Sequence, residues 1–237
     1  FDEEAIEFLE RLDPPAYKIA SFELNDLELV AAVARRRRTV VMSTGMATVD
    51  EIDDAVRTAV DAGAPGVVLL RCNSAYPAVP GEMDLRTIPD MAARWNVPVG
   101  LSDHTLSTSA ALAAVSLGAV VLEKHVTMAR SDGGPDAAFS LEPAELRAFV
   151  DAVRETEGAL GRVRYGPSES EKPSRAFRRS LFVVRDISAG EVLTADSVRS
   201  IRPAGGLPPK ELGSVLGRRA RRAIPRGTPI ARDLLED

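Results

Sequence analysis

Five short apolar runs recur along the first 125 residues, and amphipathic helical stretches lie between them. The runs are AYKIAS, TVVMS, GVVLLR, VPVGL and AVVLE. None of them alternates apolar with polar residues, which is typical of strands buried on both faces. A strand followed by a helix, repeated about every 20–30 residues, predicts right-handed βαβ units and a parallel sheet. The fold class that this alternation predicts is α/β.

Start and stop signals frame the predicted helices. Thr48 and Glu51 form a capping-box pattern, and the stretch that they open ends at Gly63. The stretch STSAALAAVSLG ends at Gly118, and Pro143 lies where the first turn of a helix tolerates proline. These signals place helices directly after the predicted strands, as the βαβ pattern requires.

Polar residues follow the predicted strands at the point where each one ends. In a (β/α)8 barrel the carboxyl ends of the strands form the active site, and a doubly wound sheet binds ligands at the same edge. We therefore expect these polar residues to share one site. They are Lys18 and Ser21; Ser43, Thr44 and Gly45; Asn73, Ser74 and Tyr76; Ser102, Asp103 and His104; and Glu123, Lys124 and His125.

Five strands do not close a barrel, and an open five-stranded parallel sheet would have exposed edges. The chain also starts at Phe1, inside the helical pattern FDEEAIEFLERL. We expect a TIM (β/α)8-type barrel of which roughly three N-terminal βα units precede this sequence.

Composition shifts divide the chain into three parts. Residues 1–160 form the partial barrel, and residues 161–175 have the Gly, Pro, Ser and charge content of a linker. Residues 176–237 carry a weak repeat, DISAGEVLTADSV and AIPRGTPIARDLL. Each copy is interpreted as a strand, a glycine turn and a short capped helix, so we predict a small β-rich domain.

Net charge and cysteine content exclude several classes of partner. The formal net charge of −5 gives no electrostatic basis for binding nucleic acid or an anionic membrane. No run approaches the roughly 18 apolar residues of a spanning helix, and no signal peptide is recognisable. The lone cysteine, Cys72, excludes an intrachain disulfide and fits a reducing compartment. We expect a cytoplasmic protein without nucleic acid or membrane partners.

The chain has only two histidines, His104 and His125, and both follow adjacent predicted strands. This placement favours a shared site over two separate structural roles. Neutral imidazoles suit Mn, Fe, Co or Zn, but carboxylate, water or substrate must complete the ligand shell. Asp136 follows closely and is interpreted either as a contact to substrate or metal or as a turn residue.

Lys18 and the hydroxyls of five serine and threonine residues would line the opposite rim. A cation and hydroxyls at strand ends suit an anion such as phosphate or carboxylate. Glu23, just past the first strand, would be an acid or base, or a solvated residue at a helix start. The hydroxyl residues are Ser21, Ser43, Thr44, Ser74 and Ser102.

An ordered set of motifs identifies a family resemblance. YKIAS-x-E, STGM, C-x-S-x-YP, GLSDHT, LEKHVT and GPD occur in that order, and IRPAGGLPP follows in the tail. The chain resembles the NeuB-type sialic acid synthases over essentially its whole length. Its tail resembles their C-terminal antifreeze-like, or SAF, domain, which has a β-clip fold.

The resemblance implies an activity, a metal and site residues. The family condenses phosphoenolpyruvate with N-acetylmannosamine or a related acetamido hexose, giving a nine-carbon 2-keto sugar acid and phosphate. A divalent metal, commonly Mn²⁺ with Mg²⁺ or Co²⁺ as alternatives, would be held by His104 and His125. The resemblance also implies a domain-swapped homodimer, in which Arg202 of one subunit reaches the site of the other. Phosphoenolpyruvate would contact Lys18, Ser21, Ser43, Ser74 and Ser102, and the sugar would lie near Tyr76 and Asp136. We expect Lys18, His104 and His125 to be the catalytic residues, together with Glu23, whose position after the first strand suits an acid or base.

Two departures from the family pattern bear on this expectation. The family's first strands carry a catalytic Glu and further contacts that this sequence lacks, and Ser74 stands where some members have Asn. Two alternative functions are therefore kept open. One is another phosphoenolpyruvate-dependent aldol-type synthase, and the other is a non-catalytic sugar-binding protein.

Overall fold

A five-stranded parallel sheet organises the first part of the computed structural model, which describes residues 2–236. The strand order in space equals the order along the chain, and each pair of neighbours is parallel. The predicted α/β class and parallel sheet are confirmed, and the sheet curls as about half of a barrel. Its strands are β1 (Ala16–Ile19), β2 (Thr39–Ser43), β3 (Val67–Cys72), β4 (Val99–Asp103) and β5 (Leu122–Lys124).

Helices connect the strands. Six precede, separate or follow the strands of the sheet: α1 (Glu3–Glu10), α2 (Leu27–Ala34), α3 (Val49–Asp61), α4 (Thr87–Trp95), α5 (Ser109–Ser116) and α6 (Pro143–Leu160). Short 3-10 helices lie at Ser21–Glu23, Pro80–Glu82, Arg130–Asp132, Ala137–Phe139, Lys172–Phe177, Pro209–Glu211 and Arg232–Leu234.

The helix boundaries follow the capping signals of the sequence. The Thr48 hydroxyl accepts a hydrogen bond from Glu51 N at 3.3 Å, and the Glu51 carboxylate accepts from Thr48 N at 2.7 Å. This reciprocal pair starts α3, as predicted. Glu142 and Glu145 form a second capping box at the start of α6, with Pro143 in its first turn. The alternation of strands and helices predicts a helix between β3 and β4 but gives no bounds for it. This helix, α4, ends at Asn96 in the left-handed conformation (φ 50°).

The core of the first unit lies between the sheet and its helices. Val30, Met42, Leu69 and Leu101 are fully buried in it. A smaller cluster joins α5 to α6 through Ala111, Leu141 and Phe149. Because apolar packing fixes one side of the sheet, the polar side chains at the strand ends are held on a rigid support.

The second unit begins after Arg162, where the chain divides into two compact parts. It contains an antiparallel pair, β6 (Ser180–Val183) and β7 (Val198–Ile201), and the short helix α7 (Leu212–Val215). The two copies of the repeat meet at an isolated bridge between Ile187 and Ile224. The prediction of a full strand at each of these isoleucines was wrong, because only single bridges form there.

Both glycine turns of the repeat are present. Gly190 and Gly227 have φ values of 74° and 86°, which side chains other than glycine rarely adopt. The second copy continues into the 3-10 helix Arg232–Leu234, whereas the first continues into a hydrogen-bonded turn without a helix. The predicted capped helix therefore exists in one copy only, and in a shorter form.

Within residues 2–236 the parallel sheet has five strands, so a closed barrel stays a prediction. Across the same residues, no helix is both long and apolar enough to cross a membrane.

Candidate active site

A cavity of about 610 Å³ lies at the carboxyl ends of the five parallel strands. Each strand contributes a residue at or just beyond its end, which is where ligands bind in parallel α/β sheets. The lining is polar on two sides and aromatic between them. The residues that line the cavity are Lys18, Ala20, Ser21, Phe22, Ser43, Cys72, Tyr76, Ser102, His104, Glu123, His125 and Asp136.

The structure brings the two histidines together. His104 follows β4 and His125 follows β5, and their ring centroids are 5.1 Å apart. Nδ1 of His104 lies 2.9 Å from the carbonyl oxygen of Asn73, which can only accept a hydrogen bond. Neutral His104 therefore carries its proton on Nδ1, and the lone pair is on Nε2. Nδ1 of His125 lies 3.5 Å from Oδ2 of Asp136, which orients the second ring in a similar way.

The two imidazoles differ in proton affinity. Burial lowers the pKa of His104, but hydrogen bonding to Cys72 and to the Asn73 carbonyl outweighs it, so the pKa is raised overall. Burial and then the nearby charge of His104 lower the pKa of His125. At neutral pH the lowered pKa keeps His125 neutral, which is the form that binds a metal.

The two imidazoles can supply part of the ligand shell of a metal ion. Each imidazole has one nitrogen engaged by an oxygen acceptor, the arrangement that usually orients histidine ligands. Between Asp2 and Glu236, however, no group of three or more His, Cys, Asp or Glu side chains is placed to hold an ion. Two histidines would leave the remaining positions to water or substrate, as the sequence analysis expected.

The opposite wall of the cavity carries a cation and hydroxyl groups. Lys18 is partly buried, and burial lowers its pKa, although the Glu123 carboxylate acts in the other direction. Ser43 is 2% exposed, and its hydroxyl has no hydrogen-bond partner among residues 2–236. A buried hydroxyl without a protein partner is costly, so this group is well placed to donate to a ligand. The hydroxyl of Ser21 accepts from Gly45 N at 3.0 Å.

Gly45 is required by this close approach of β1 and β2. A Cβ at this position would lie 2.1 Å from the Ser74 hydroxyl and 2.8 Å from the Ser21 hydroxyl. Its absence lets the hydroxyls of Ser21 and Ser74, which follow different strands, approach one backbone segment.

Cys72 contacts both groups of residues. Its sulfur lies 4.0 Å from Nδ1 of His104 and 3.8 Å from the Ser74 hydroxyl. Burial raises the pKa of this thiol, but hydrogen bonds to His104 and Ser21 outweigh it, and the pKa is lowered overall. Since the His104 Nδ1 atom already donates to Asn73, the thiol is not paired with a free general base.

An aromatic surface separates the hydroxyl wall from the loop that carries Asp136. The Tyr76 ring lies 4.3 Å from the His104 ring and 5.5 Å from the Phe139 ring, between centroids. Phe139 also contacts the His125 ring at 5.1 Å. Burial raises the pKa of the Tyr76 hydroxyl, so this group stays protonated and able to donate.

The segment that carries Asp136 and Phe139 is closed at its base. Leu141 N donates to the His125 carbonyl at 2.8 Å, and Thr127 N donates to the Leu141 carbonyl at 2.9 Å. Arg130 N donates to the Glu142 carboxylate at 2.9 Å, which ties the same segment to the start of α6.

Eight residues predicted for the site lie outside the lining of the cavity: Glu23, Thr44, Gly45, Asn73, Ser74, Asp103, Lys124 and Arg202. The prediction was wrong for Asp103 and Lys124 because alternate side chains of a strand point to opposite faces of the sheet. Ser74 is adjacent to the lining through Cys72. Glu23 lies in the 3-10 helix after β1 and has one buried carboxylate oxygen without a partner. Arg202 is exposed in the second unit.

Glu123 is a charged residue of the lining to which no specific role was assigned from the sequence. Its Oε1 accepts from the Ser102 hydroxyl at 2.7 Å, and its Oε2 lies 3.6 Å from Lys18 Nζ. The signal for it was its position in LEKHVT, two residues before His125, because residues i and i+2 of a strand share a face.

The comparisons with known proteins agree with this arrangement. Residues 1–165 match the model of the NeuB family, and residues 178–236 match that of the SAF domain. The chain is 41% identical over 230 residues to the pseudaminic acid synthase of Campylobacter jejuni subsp. jejuni serotype O:23/36 (strain 81-176), covering 97% of this chain and 67% of that protein. It is 34% identical over 245 residues to the N,N′-diacetyllegionaminic acid synthase of Legionella pneumophila, covering 100% of this chain and 68% of that protein.

A solved structure shares the fold at a similar level of identity. The crystal structure of the spore coat polysaccharide biosynthesis protein SpsE from Bacillus subtilis superimposes with a TM-score of 0.65 at 33% identity. The match covers 100% of this chain and 72% of that one. With the strand-end cavity, the paired histidines and both family models in agreement, the chain belongs to the NeuB family of synthases of nine-carbon sugar acids and carries a C-terminal SAF domain.

Proposed function

We propose that the protein condenses phosphoenolpyruvate with an acetamido hexose, giving a nine-carbon 2-keto sugar acid and phosphate. One observation carries the proposal. A single cavity holds a cation and buried hydroxyls on one wall and two oriented imidazoles on the other. The first wall suits a doubly charged anion, and the second suits a metal that binds a sugar oxygen.

The anion side would hold phosphoenolpyruvate. Lys18 supplies the charge, and the hydroxyls of Ser21, Ser43 and Ser102 supply directional hydrogen bonds, with Ser74 adjacent. Ser43 is the clearest candidate, because its hydroxyl is buried and has no protein partner. These residues act by positioning, since holding both reactants in one geometry lowers the barrier without covalent participation by the protein.

His104 and His125 would hold a divalent metal, for which Mn²⁺ is the first choice and Mg²⁺ or Co²⁺ are alternatives. The metal, when bound, acts as a Lewis acid on the sugar aldehyde. The Asn73 carbonyl and the Asp136 carboxylate fix the two rings so that Nε2 of each is the free ligand atom. The methylene carbon of phosphoenolpyruvate would then bond to the aldehyde carbon, and the aldehyde oxygen would take up a proton. Water would add at the carbon that carries the phosphate ester, and phosphate would leave with cleavage of that C–O bond.

Two carboxylates are available for proton transfer. Glu123 lines the cavity between Ser102 and Lys18, and Glu23 lies close enough for its charge to act on Lys18 and Tyr76. We assign Glu123 the deprotonation of the attacking water, because it faces the cavity, and keep Glu23 as the alternative.

The sugar would lie against Tyr76 and Asp136, and Phe139 packs behind the Tyr76 ring. The Tyr76 ring offers apolar contact to acetamido methyl groups, and Asp136 offers an acceptor for hydroxyl groups. The higher identity to a pseudaminic acid synthase than to a legionaminic acid synthase favours a diacetamido-trideoxy hexose of the pseudaminic type.

A second copy of the chain would complete the site. Arg202 is exposed within its own unit, so its guanidinium is available to hydrogen-bond the sugar of another subunit. Basic residues outnumber acidic ones after residue 162, whereas acidic residues predominate before it. This asymmetry supports a homodimer in which the SAF unit of one subunit covers the cavity of its partner.

Phosphate release with a panel of sugars tests the proposal. The protein with Mn²⁺ and phosphoenolpyruvate should release phosphate with a 2,4-diacetamido-2,4,6-trideoxy hexose or with N-acetylmannosamine, and the product should be a nine-carbon 2-keto acid by mass. His125→Ala is the matched inactive control. Phosphate release only with an unacetylated aldose phosphate would favour the other aldol-type synthases. Sugar binding without phosphate release would favour a non-catalytic sugar-binding protein.

A further inference from the structure

Directly beneath the two histidines lies a buried ion pair that takes no part in the site. Lys124 Nζ lies 3.1 Å from Asp103 Oδ2, and the two side chains are 4% and 0% exposed. Asp103 precedes His104 in the chain, and Lys124 precedes His125. The ion pair thus links the two segments that carry the imidazoles.

The register of β4 and β5 places the pair on the far side of the sheet from the cavity. Ser102 is level with Glu123, and Asp103 is level with Lys124. Successive side chains of a strand point to opposite faces. Ser102, Glu123, His104 and His125 line the cavity, whereas Lys124 lies 5.8 Å from the Phe149 ring of α6. Neither charge of the pair can therefore reach a ligand in the cavity.

The β4–β5 register ends at this pair, immediately before the histidines. Asp103 Oδ1 accepts from Thr105 N at 2.9 Å, and Lys124 Nζ donates to the Thr105 carbonyl at 2.6 Å. Asp103 and Thr105, the two neighbours of His104, are thus both bound to the Lys124 side chain, which precedes His125. Where the strand pairing stops, these side-chain bonds take over the connection between the two segments.

Stability alone gives little reason for a charged pair at this position. Removing two charges from water is costly, and a well-packed apolar pair of similar volume is often equally stable or more stable. What an apolar pair lacks is direction, because hydrogen bonds fix the relative placement of two segments and apolar contacts do not. We infer that Asp103 and Lys124 are positioning residues that set the spacing and orientation of His104 and His125.

The inference rests on the proposed function in one respect, namely that the spacing of the rings matters for a bound metal. The spacing itself is measurable without metal. Because the chain contains only two histidines, selective isotopic labelling of histidine gives two sets of ring signals. In the parent protein, cross-relaxation between the two rings should be visible, since their centroids are 5.1 Å apart.

The test variant is Asp103→Asn with Lys124→Met. Asparagine retains an acceptor for Thr105 N, and methionine retains an unbranched chain beside Phe149. We expect the circular dichroism spectrum and cooperative melting of the parent protein, weaker ring-to-ring cross-relaxation, and Mn²⁺ binding by calorimetry about tenfold weaker. The absorption bands of bound Co²⁺ should also shift, because they report ligand geometry.

Two controls separate positioning from general destabilisation. Ile88→Val removes one methyl group from the core on α4 and should lower the melting temperature without changing the ring signals or the metal affinity. Lys124→Arg keeps the cation beside Asp103, and a cavity of about 450 Å³ next to Phe149 has room for the guanidinium. This variant should stay within about twofold of the parent Mn²⁺ affinity.

The outcomes are distinct. A folded double variant with unchanged cross-relaxation overturns the inference. If the double variant does not fold, the ring-to-ring cross-relaxation of Lys124→Gln is compared with that of Lys124→Arg. Equal cross-relaxation in these two variants would likewise overturn the inference. A parent protein that shows the cross-relaxation but binds no Mn²⁺ would contradict the metal in the proposed function. The inference about the ring spacing would then be decided by the cross-relaxation of the double variant alone.

Discussion

Ser102 and Glu123 face each other across the β4–β5 pair, and the serine hydroxyl donates to the carboxylate at 2.7 Å. The other carboxylate oxygen lies 3.6 Å from Lys18 Nζ. The three side chains join the first, fourth and fifth strands of the sheet at the cavity. Glu123 therefore influences both the hydroxyl and the cation that we assign to phosphoenolpyruvate.

Glu123→Gln should move the alkaline limit of phosphoenolpyruvate binding. Burial lowers the pKa of Lys18, and the Glu123 carboxylate partly restores it. An anion binds Lys18 in its charged form, so binding is full below the Lys18 pKa and is lost as pH rises through it. Without the carboxylate this loss should begin at lower pH. The measurement is the KM for phosphoenolpyruvate against pH, with the exposed Glu28→Gln as control. Superimposable profiles for the variant and the parent would contradict the assignment.

Ser43→Ala should separate ligand binding from stability. The Ser43 hydroxyl is buried without a partner, so its removal should leave the free energy of unfolding unchanged or raise it by up to about 1 kcal/mol. The KM for phosphoenolpyruvate should rise about tenfold, equivalent to about 1.4 kcal/mol of binding.

Chemical denaturation and steady-state kinetics give the two quantities for Ser43→Ala. The matched control is Ser116→Ala, because Ser116 is an exposed residue of α5 whose hydroxyl donates to the Leu112 carbonyl. Loss of stability in Ser43→Ala with an unchanged KM would show that the hydroxyl has a structural role instead.

Mn²⁺ affinity should fall as pH falls, in two stages. A metal requires neutral imidazoles, so protons compete with it. The His104 pKa is raised from its ordinary value of 6.5, and competition there begins above that pH. The His125 pKa is lowered from the same value, and its competition follows at lower pH. Calorimetric titrations at several pH values measure the affinity. His125→Ala should lose the second stage, and an affinity independent of pH would exclude imidazole ligands.

Arg202→Ala should raise the KM for the sugar more than the KM for phosphoenolpyruvate, because the guanidinium is assigned to the sugar. Mixed with His125→Ala, it should recover part of the activity, since one site of each hybrid dimer would keep both residues. Each variant alone, at the same total concentration, is the baseline. Hybrid dimers that form without activity above either parent variant would contradict the swapped arrangement.

The sequence was informative about the sheet because its strands are continuous apolar runs bounded by glycine, proline and polar residues. The same periodicity argument predicts which residues end each strand, and so it placed Lys18, Ser43 and His104 at one edge. It gave no bounds for α4, whose sequence TIPDMAARW is short and has a proline at its third residue. Tertiary packing of Ile88 and Met91 stabilises that helix, and packing is not visible in a local window.

The site was less accessible to sequence analysis than the sheet. Glu123 was in view as a strand-end residue, but its partners Ser102 and Lys18 come from 21 and 105 positions earlier in the chain, and only the register brings them together. The buried hydroxyl of Ser43 looked like any turn serine, because the lack of a partner is a property of the folded environment. The repeat in the tail indicated a pair of strands where hydrogen bonding supports only the Ile187–Ile224 bridge.

The closed base of the segment after β5 has a consequence for how specificity can diverge. Hydrogen bonds join Thr127 to Leu141 and Leu141 to the His125 carbonyl, and residues 128–140 form the loop between these two ends. Asp136 and Phe139 belong to this loop, whereas His125 belongs to the base. A family member can therefore change the length or sequence of this loop around Asp136, whereas Asp136 itself has to be kept because its carboxylate orients the His125 ring. Evolution, or a protein engineer, can change the sugar that such a chain accepts without redesigning the chemistry beneath it.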